Sequence, residues 1–406
     1  MSTLTPPLLY ARLLTSSHAN RGFPLWHPEP DERYPEYRED GLQFGDVEFV
    51  DDNGFFTVMF NICKPANHRL HSSMGVPQGF RQILIPADGI RRVRYEDDEH
   101  CLMTSGSLVD NQAIIELTAP SGGRVLGLDL ASSHKEGAFL FLQEGSRSED
   151  VHNTKDLFDE ANRSGKAWYE FLVSKYPQTD RVPFTNDCLF LITGFQKAKR
   201  FALGVLQNYT SNSEAFVRIP IGGGIAGNIH STSNWQVSPT SPDNAPENQT
   251  VFIRGFNISI RQRLFSLLRR EGDSIHVDRQ LPTPVVSIDE LRTINSKSQP
   301  LRTVIPRTAG SAPRATQARS RGGENRSPHQ KFSGLERVFH PSNLISTHIL
   351  DNMPTCEVAV IPDEVWIEIS EQVPHARWDQ PEDQVKLLKK FDENYTVVDI
   401  NGMSIQ

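Results

Sequence analysis

The sequence predicts a mainly β protein of the α+β class: two antiparallel β-rich modules joined by a long helix, then a disordered basic linker and a small C-terminal α/β unit. Three observations lead to this class. Apolar runs bounded by turn residues indicate strands. One long apolar stripe indicates a helix between the modules, and a late stretch rich in Ser, Pro and Arg lacks the aromatic residues that a core needs. With 406 residues, of which 37% are hydrophobic, the chain is long enough for two or three domains.

Residues 1–39 are predicted to be an extended segment rich in proline and aromatic residues. Four prolines between residues 24 and 35 fix φ and disfavour helix, so the apolar residues 23–26 would lie along the sheet. Within them Trp26, with His27 beside it, is a candidate interaction site. Packing of the aromatic ring in the core is the favoured alternative.

The first β-rich module, residues 40–150, begins with a hairpin. Residues 47–50 lead into a turn that ends in Asn53 and Gly54, the pair that most readily adopts the positive φ angles of a type I′ turn. The return strand, 55–62, is apolar on both faces, which predicts that it is covered on both sides. Three further strands at 112–118, 124–130 and 137–143 indicate a sandwich-like domain.

A bridging segment, 151–177, contains the clearest helix, at 155–176. Its apolar residues recur at three- to four-residue steps, and Pro177 ends it. The stripe comprises Leu157, Ala161, Gly165, Trp168 and Leu172. The second β-rich domain, 178–290, has strands at 188–194, 201–206, 214–221 and 251–261. The last alternates apolar and polar residues, which predicts an antiparallel sheet with one face in water.

The predicted linker, residues 291–333, is the most basic part of the chain. Seven Arg or Lys residues lie between residues 302 and 331, with Glu324 as the only acid, although the whole chain has a net charge of −8. Such a segment suits an acidic partner, a phosphate-controlled switch or weak nucleic-acid contact, and a plain solvated tether is the alternative. The candidate interaction residues are Arg319, Arg321, Arg326 and Ser327.

The C-terminal unit, residues 334–406, shows the pattern of a small α/β fold. Helices are predicted at 344–350, 363–372 and 382–391, and strands at 357–361 and 395–400. Ser342 or Asn343 is expected to cap the first helix. Asp363 and Glu364 begin the second, where acidic residues favour the helix N-terminus.

A glycine cluster raises the possibility of a nucleotide pocket. Residues 222–227 match G-x-G-x-x-G after a strand, but the motif indicates a dinucleotide site only when a helix follows. The following residues alternate as a strand does, so a glycine-rich turn is favoured and no cofactor is predicted. The corresponding pocket residues are Gly222, Gly224, Gly227, His230 and Trp235.

The sequence favours a non-enzymatic interaction or regulatory protein that binds a protein partner through the basic linker or its apolar strips. It has no nucleophile elbow, P-loop or metal-binding helix motif, and its net charge disfavours extensive nucleic-acid binding. One alternative is a hydrolase whose site is assembled from distant residues, with His230, Asp46 and Asp187 as candidates. Another is a β-rich protein that acts on membranes.

The cysteines and the hydropathy bear on the compartment. Cys63, Cys101, Cys188 and Cys356 are far apart and lack metal-ligand spacing, which favours a reducing compartment, the cytoplasm before the nucleus. No metal is predicted. No stretch approaches the roughly 18 apolar residues of a membrane span, and the N-terminal residues lack the basic start of a signal peptide.

Several short runs are scattered over most of the chain: residues 22–26 with 28–30, then 45–47, 60–62, 189–194, 251–256, 340–343 and 358–366. Together they resemble a family of uncharacterised proteins from mushroom-forming (basidiomycete) fungi. The resemblance implies a β-rich body and a fungal intracellular setting. It brings no established activity, cofactor or catalytic residue.

Overall fold

The computed structural model describes most of the chain outside the basic segment. The described residues are 5–50, 54–95, 101–106, 108–109, 114–118, 124–132, 136–175, 185–207, 214–220, 233–237, 246–271, 285–287, 340–373, 376–378, 380–395 and 397–399. The predicted linker, 291–333, lies outside them.

The described chain contains seven α-helices and eighteen strands, which confirms the mainly β, α+β class. The helices are α1 (Pro6–Ser17), α2 (Pro35–Asp40), α3 (Lys155–Lys175), α4 (Gln262–Glu271), α5 (Pro341–Asn352), α6 (Asp363–Gln372) and α7 (Pro381–Asn394). The first nine strands are β1 (Phe23–Pro24), β2 (Asp46–Val50), β3 (Phe56–Asn61), β4 (Ile90–Tyr95), β5 (Cys101–Thr104), β6 (Leu108–Val109), β7 (Ile114–Thr118), β8 (Arg124–Ser132) and β9 (Glu136–Leu142). The others are β10 (Ser146–Val151), β11 (Leu189–Ala198), β12 (Phe201–Gln207), β13 (Glu214–Pro220), β14 (Ser233–Val237), β15 (Gln249–Ile260), β16 (Val285–Ser287), β17 (Val358–Pro362) and β18 (Val398–Asp399).

The strands form one large sheet and two small ones. The large sheet has ten strands in the order β18-β16-β17-β15-β11-β10-β4, with β1 on β15 and the β2–β3 hairpin on β11. One small sheet has the order β14-β12-β9-β5, and in the other β8 pairs with β6, β7 and β13. The described pairings are antiparallel except that between β16 and β17. The predicted antiparallel sheets are therefore present.

Strand pairing crosses the predicted boundary between the two β-rich modules. β11 pairs with β2 on one part of its length and with β10 on another, and β12 pairs with β9. β13 also pairs with β8, so strands from 40–150 and from 178–290 share all three sheets. The prediction assumes that strands close in sequence are neighbours in space, which holds in most but not all cases, and pairing between distant strands leaves no local pattern.

The predicted hairpin is confirmed by the pairing of β2 with β3, which contains a bulge between Val47 and Glu48. Gly54 has a φ of 82°, as the turn prediction requires. Residues 51–53 of that turn lie outside the described part of the chain. Both faces of β3 are covered: Val58 packs in one apolar cluster and its neighbour Met59 in another.

The long helix is confirmed as α3, and every residue of its predicted stripe is buried. α3 lies across β15 and β17 of the large sheet. The amide of Lys155 donates to Asn153 Oδ1 at 3.1 Å, so Asn153 satisfies one of the free N–H groups of the first turn.

The prediction of an extended segment over 1–39 is wrong at both of its ends. Residues 6–17 form α1, whose buried Leu9 and Leu14 pack in the cluster beneath β9 and β12. Pro6 and Pro35 each begin a helix, because a proline in the first turn removes an N–H that has no helical partner anyway. Between the helices, β1 pairs with β15, which confirms the extended apolar strip.

The helices and strands predicted for the C-terminal unit are all present, but its first helix is capped differently. The His340 Nδ1 accepts the amide of Ser342 at 3.2 Å, so His340, not Ser342 or Asn343, is the cap of α5. The unit is also part of the main body, because β17 pairs with β15 along five residues.

The prediction that one face of β15 lies in water is wrong. Asn257 and Ser259 point to that face and are buried, and Ser259 Oγ donates to Ser346 Oγ of α5 at 2.9 Å. The C-terminal helices cover the polar side of the strand. Burial of these short polar side chains is tolerated because they form hydrogen bonds with each other and with the backbone.

Among the described residues, no helix combines the length and hydrophobicity needed to cross a membrane.

Candidate binding cleft

A polar cleft of about 450 Å³ opens at one corner of the large sheet. Its floor comes from β4, β10, β11 and β15. One wall is the 3-10 turn that follows α1, and another is α6. The residues used below are Arg21 from the turn, Arg91, Val93 and Tyr95 from β4, Ser148 and Asp150 from β10, Arg254 from β15, and Glu364 from α6.

Strand alternation decides which side chains enter the cleft. Arg91, Val93 and Tyr95 are two residues apart and share the cleft face of β4. Arg92 and Arg94 point to the other face, where Arg92 pairs with Glu149 at 3.2 Å. The acidic partners of β4 therefore lie mostly on the face opposite to the cleft.

Arg254 organises the floor. Its Nε donates to Asp150 Oδ1, its Nη1 to the carbonyl of Arg21 at 2.6 Å, and its Nη2 to Ser148 Oγ at 2.7 Å. Its side chain is only 16% exposed, so these bonds replace the water that burial removes. Arg254 therefore neutralises Asp150 and fixes the backbone that carries Arg21.

Gly194 on β11 makes room for this ion pair. A Cβ at that position would lie 2.1 Å from Asp150 Oδ1 and 3.1 Å from Arg254 Nε. A larger residue would displace the carboxylate, so the glycine at the end of the apolar run 189–194 has a local structural reason.

Two guanidinium groups remain in the cleft. The Arg21 guanidinium lies over the ring of Tyr95, 4.5 Å from its centroid, and its buried Nη1 donates to none of the described residues. Arg91 is exposed and forms no ion pair with a described carboxylate. A guanidinium fork matches carboxylate and phosphate groups in two-point contacts. The cleft can therefore bind an anion of either kind.

Trp26 and His27, predicted as an interaction site, have different environments. Trp26 is buried and packs edge-on against Tyr10 with ring centroids 5.3 Å apart. The Gln236 amide is oriented with its oxygen 2.6 Å from Trp26 Nε1. Trp26 is therefore a core residue. His27 is half-buried and stacks on Phe55 with ring centroids 3.6 Å apart.

The other predicted site residues fall mostly outside the described part of the chain. This applies to Gly222, Gly224, Gly227 and His230 of the glycine cluster, and to Arg319, Arg321, Arg326 and Ser327 of the basic segment. The backbone of Trp235 is described, on β14, where it pairs with Gly204 of β12.

The two acids proposed for a hydrolase share none of their described hydrogen-bond partners. Asp46 is buried and accepts bonds from Tyr37 Oη at 2.6 Å, Asn61 Nδ2 at 2.6 Å and the Gln43 amide at 2.7 Å. Burial raises the pKa of Asp46 to about 6, against the lowering effect of those bonds. Asp187 instead accepts a bond from Thr185. Asp46 is thus occupied within the fold.

Asp363 lies in the first turn of α6 with Glu364, as the sequence predicts, and it also has a structural role. Its carboxylate accepts the Gly255 amide at 3.0 Å and Trp366 Nε1 at 2.8 Å, and His340 Nε2 lies 3.5 Å away. Burial raises the pKa of Asp363 and lowers the pKa of His340 to about 3. These hydrogen bonds hold the C-terminal unit against β15. The neighbouring residue, Glu364, lines the cleft.

The sequence interpretation missed the cleft because its residues come from six separate segments. One signal was available: Arg254 interrupts the apolar run Val251–Phe256, and an arginine in a buried strand requires a partner. Nothing comparable marks Arg21 or Arg91.

No group of three or more His, Cys, Asp or Glu side chains among the described residues is placed to hold a metal ion. Comparison with known proteins gives no match, either to a protein-family model or to a curated protein.

Proposed function

We propose that this chain is a non-enzymatic binding protein whose cleft receives an anionic group of a partner. The observation that carries the proposal is the convergence of Arg21 and Arg91 on a cleft of about 450 Å³ without a described carboxylate to pair with either. Clefts of this size are typical of ligand sites, where a few polar groups give orientation and specificity. Asp150 does not neutralise them, because Arg254 holds it.

A protein partner fits this site better than a nucleic acid. The chain has a net charge of −8, and nucleic-acid surfaces need many phosphate contacts for useful affinity. Two guanidinium groups suit one acidic or phosphorylated side chain. The basic segment 291–333 extends the proposal as a second contact for an acidic partner, and a reducing compartment, the cytoplasm before the nucleus, is its expected setting.

The hydrolase alternative has weaker support from the cleft. His152 and Asp150 both line it, but none of the described hydroxyl groups there bonds to a histidine ring. Ser148 Oγ accepts a bond from Arg254 at 2.7 Å and donates only a long one, of 3.5 Å, to Asp150 Oδ2, a carboxylate that Arg254 also binds. A guanidinium donor lowers the basicity of the serine oxygen and does not activate it as a nucleophile, which requires an adjacent base.

Binding of inorganic phosphate and malonate tests the proposal. Titration calorimetry of the full chain, at constant ionic strength with chloride as reference, should give saturable binding. Loss of a charge-assisted hydrogen bond costs about 1.5–3 kcal/mol, so Arg91→Gln should weaken binding about tenfold or more.

The matched control is Arg92→Gln, which removes the same charge from the same strand but from the opposite face. It should leave the affinity for both anions within about twofold of wild type, since exposed charges at this separation are largely screened. Equal losses in the two variants, or no saturable binding to the wild-type protein, would contradict the proposal.

A further inference from the structure

β4 is the last strand of the large sheet on its side, and its outer edge has no partner among the described strands. His152 N donates to Gly89 O at 2.7 Å, one step beyond the β4–β10 pairing. Hydrogen-bonded and non-hydrogen-bonded positions alternate in an antiparallel ladder. The backbone groups of Arg91 and Val93 therefore face β10, whereas those of Arg92 and the residues two away from it face outward.

The side chains beside this edge are basic on both faces of the sheet. Arg91 lies on the cleft face, and Arg92 and Arg94 lie on the other with Arg147 of β10. Among the described residues, the three arginines of that second face form their ion pairs with two glutamates, at 149 and 247. Such an edge repels a second copy of itself and attracts an acidic strand.

The spacing along β4 also suits a peptide. Arg91, Val93 and Tyr95 present a charge, an aliphatic side chain and an aromatic ring at successive positions on the cleft face. When a peptide adds to a sheet edge, its backbone bonds supply affinity and pockets for alternate side chains supply specificity.

We propose that an extended acidic segment of a partner protein adds to the outer edge of β4 and inserts one acidic side chain into the cleft. The inference rests on the proposed function, because it identifies the source of the anionic group. It adds two requirements that a free anion does not have: backbone hydrogen bonds along β4, and contact with the arginines of both faces.

The test uses a short peptide matched to the length of β4 and labelled for fluorescence anisotropy with the full chain. Glutamate alternates with valine in it, except that one valine is replaced by glutamate so that one acidic side chain also lies on the face of Arg92. Two further peptides carry N-methyl groups on all odd or on all even residues, so that each loses one row of backbone donors. One of the two should bind about tenfold or more weakly than the parent peptide, since its donors face β4, while the other should bind comparably. A slip by one residue cannot restore binding, because it would turn every side chain to the opposite face.

The protein variants separate this inference from the proposed function. Arg92→Gln should weaken binding of the peptide severalfold and leave phosphate binding unchanged, whereas Arg91→Gln should weaken both. Because the N-methyl comparison uses only wild-type protein, its result does not depend on how the variants fold.

Several results would overturn the inference. Equal binding of the two N-methylated peptides would contradict backbone pairing at the edge of β4. Equal binding of a peptide with lysine in place of glutamate would contradict selection by charge. Phosphate binding without peptide binding would overturn the inference alone, and absence of both would overturn the proposed function too. If the protein dimerises in sedimentation experiments and added peptide reverses the dimerisation, the edge of β4 binds a second copy of this chain and not a partner protein.

Discussion

Replacing Glu48 by glutamine is expected to make the protein progressively more stable than wild type as the pH rises. Glu48 lies on β2 with 0% of its surface exposed, and neither carboxylate oxygen accepts a hydrogen bond from the described residues. Burial raises its pKa well above the ordinary value, and the nearby charge of Asp46 raises it further. The folded protein therefore keeps a proton on Glu48 at pH values where an exposed glutamate is ionised.

The magnitude follows from proton binding in the two states. An unfolded chain loses this proton near pH of about 4.3, whereas the folded chain retains it. Above that pH the unfolded state gains about 1.4 kcal/mol per pH unit, so the stability that wild type has at low pH is lost as the pH rises. Glutamine has the same shape and does not ionise. The stability of Glu48→Gln relative to wild type should therefore grow with pH above about 5, at about 1.4 kcal/mol per pH unit for as long as the folded protein keeps this proton.

Urea unfolding at pH 5, 6 and 7 measures this difference. The buried amide of glutamine adds a cost of its own, but that cost is the same at each pH, so the slope is the readout. The control is Glu149→Gln on β10, which is nearly as buried but pairs with Arg147 at 2.9 Å and Arg92 at 3.2 Å. The Glu149→Gln variant should be less stable than wild type, and its stability relative to wild type should not increase between pH 5 and pH 7. Parallel curves for Glu48→Gln and wild type would refute the reasoning, because they would mean that Glu48 is ionised inside the fold.

Two further substitutions test the packing of the large sheet. Gly255→Ala places a Cβ 1.9 Å from the carbonyl oxygen of Leu191 on the neighbouring strand and should lower the free energy of unfolding by about 3 kcal/mol or more, whereas Gly106→Ala, which meets only one atom at 3.8 Å, should change it little. Tyr169→Phe removes a buried hydroxyl that bonds both β11 and β15, so it should lower the free energy of unfolding in urea by about 1–3 kcal/mol. The control Tyr34→Phe removes a hydroxyl whose bond to Ser73 Oγ is exposed, and it should cost less than about 0.5 kcal/mol. An unchanged midpoint for either core variant would contradict the contacts described.

The elements that the sequence predicts correctly are those with a local repeat. The stripe of α3 recurs at helical spacing over 21 residues, so its buried face is readable before the sheet beneath it is known. The β2–β3 hairpin is readable for the same reason, since alternation and a turn dipeptide lie within one short stretch. Helix α1 is also predictable from the sequence, because its two prolines lie in the first turn, where proline is favoured. Elsewhere the same prolines would indicate extended backbone.

The cleft has no such repeat. β10, with the sequence SRSEDV, has no apolar alternation at all, and its strand state follows from pairing with β4 and β11. Propensity is a weak guide for such a strand, because its neighbours determine whether it pairs. The charged positions of β4 resemble a solvated loop in sequence, and they form part of the cleft floor only because β10 and α6 pack beside them.

The polar network beneath the cleft is hard to explain by stability alone. Exposed ion pairs contribute about 0–1 kcal/mol, and even the pair of Arg92 with the buried Glu149 has an arginine that is 57% exposed. A desolvated pair such as Arg254 with Asp150 is often no more stable than apolar residues of the same volume. The network does fix the positions of the side chains and of the turn that border the cleft. By bonding both the Arg21 carbonyl and Asp150, Arg254 pairs with the carboxylate that lies opposite Arg91 and holds the turn that carries Arg21. That arrangement leaves positive charge available at the sheet edge, which an apolar core at this corner would not.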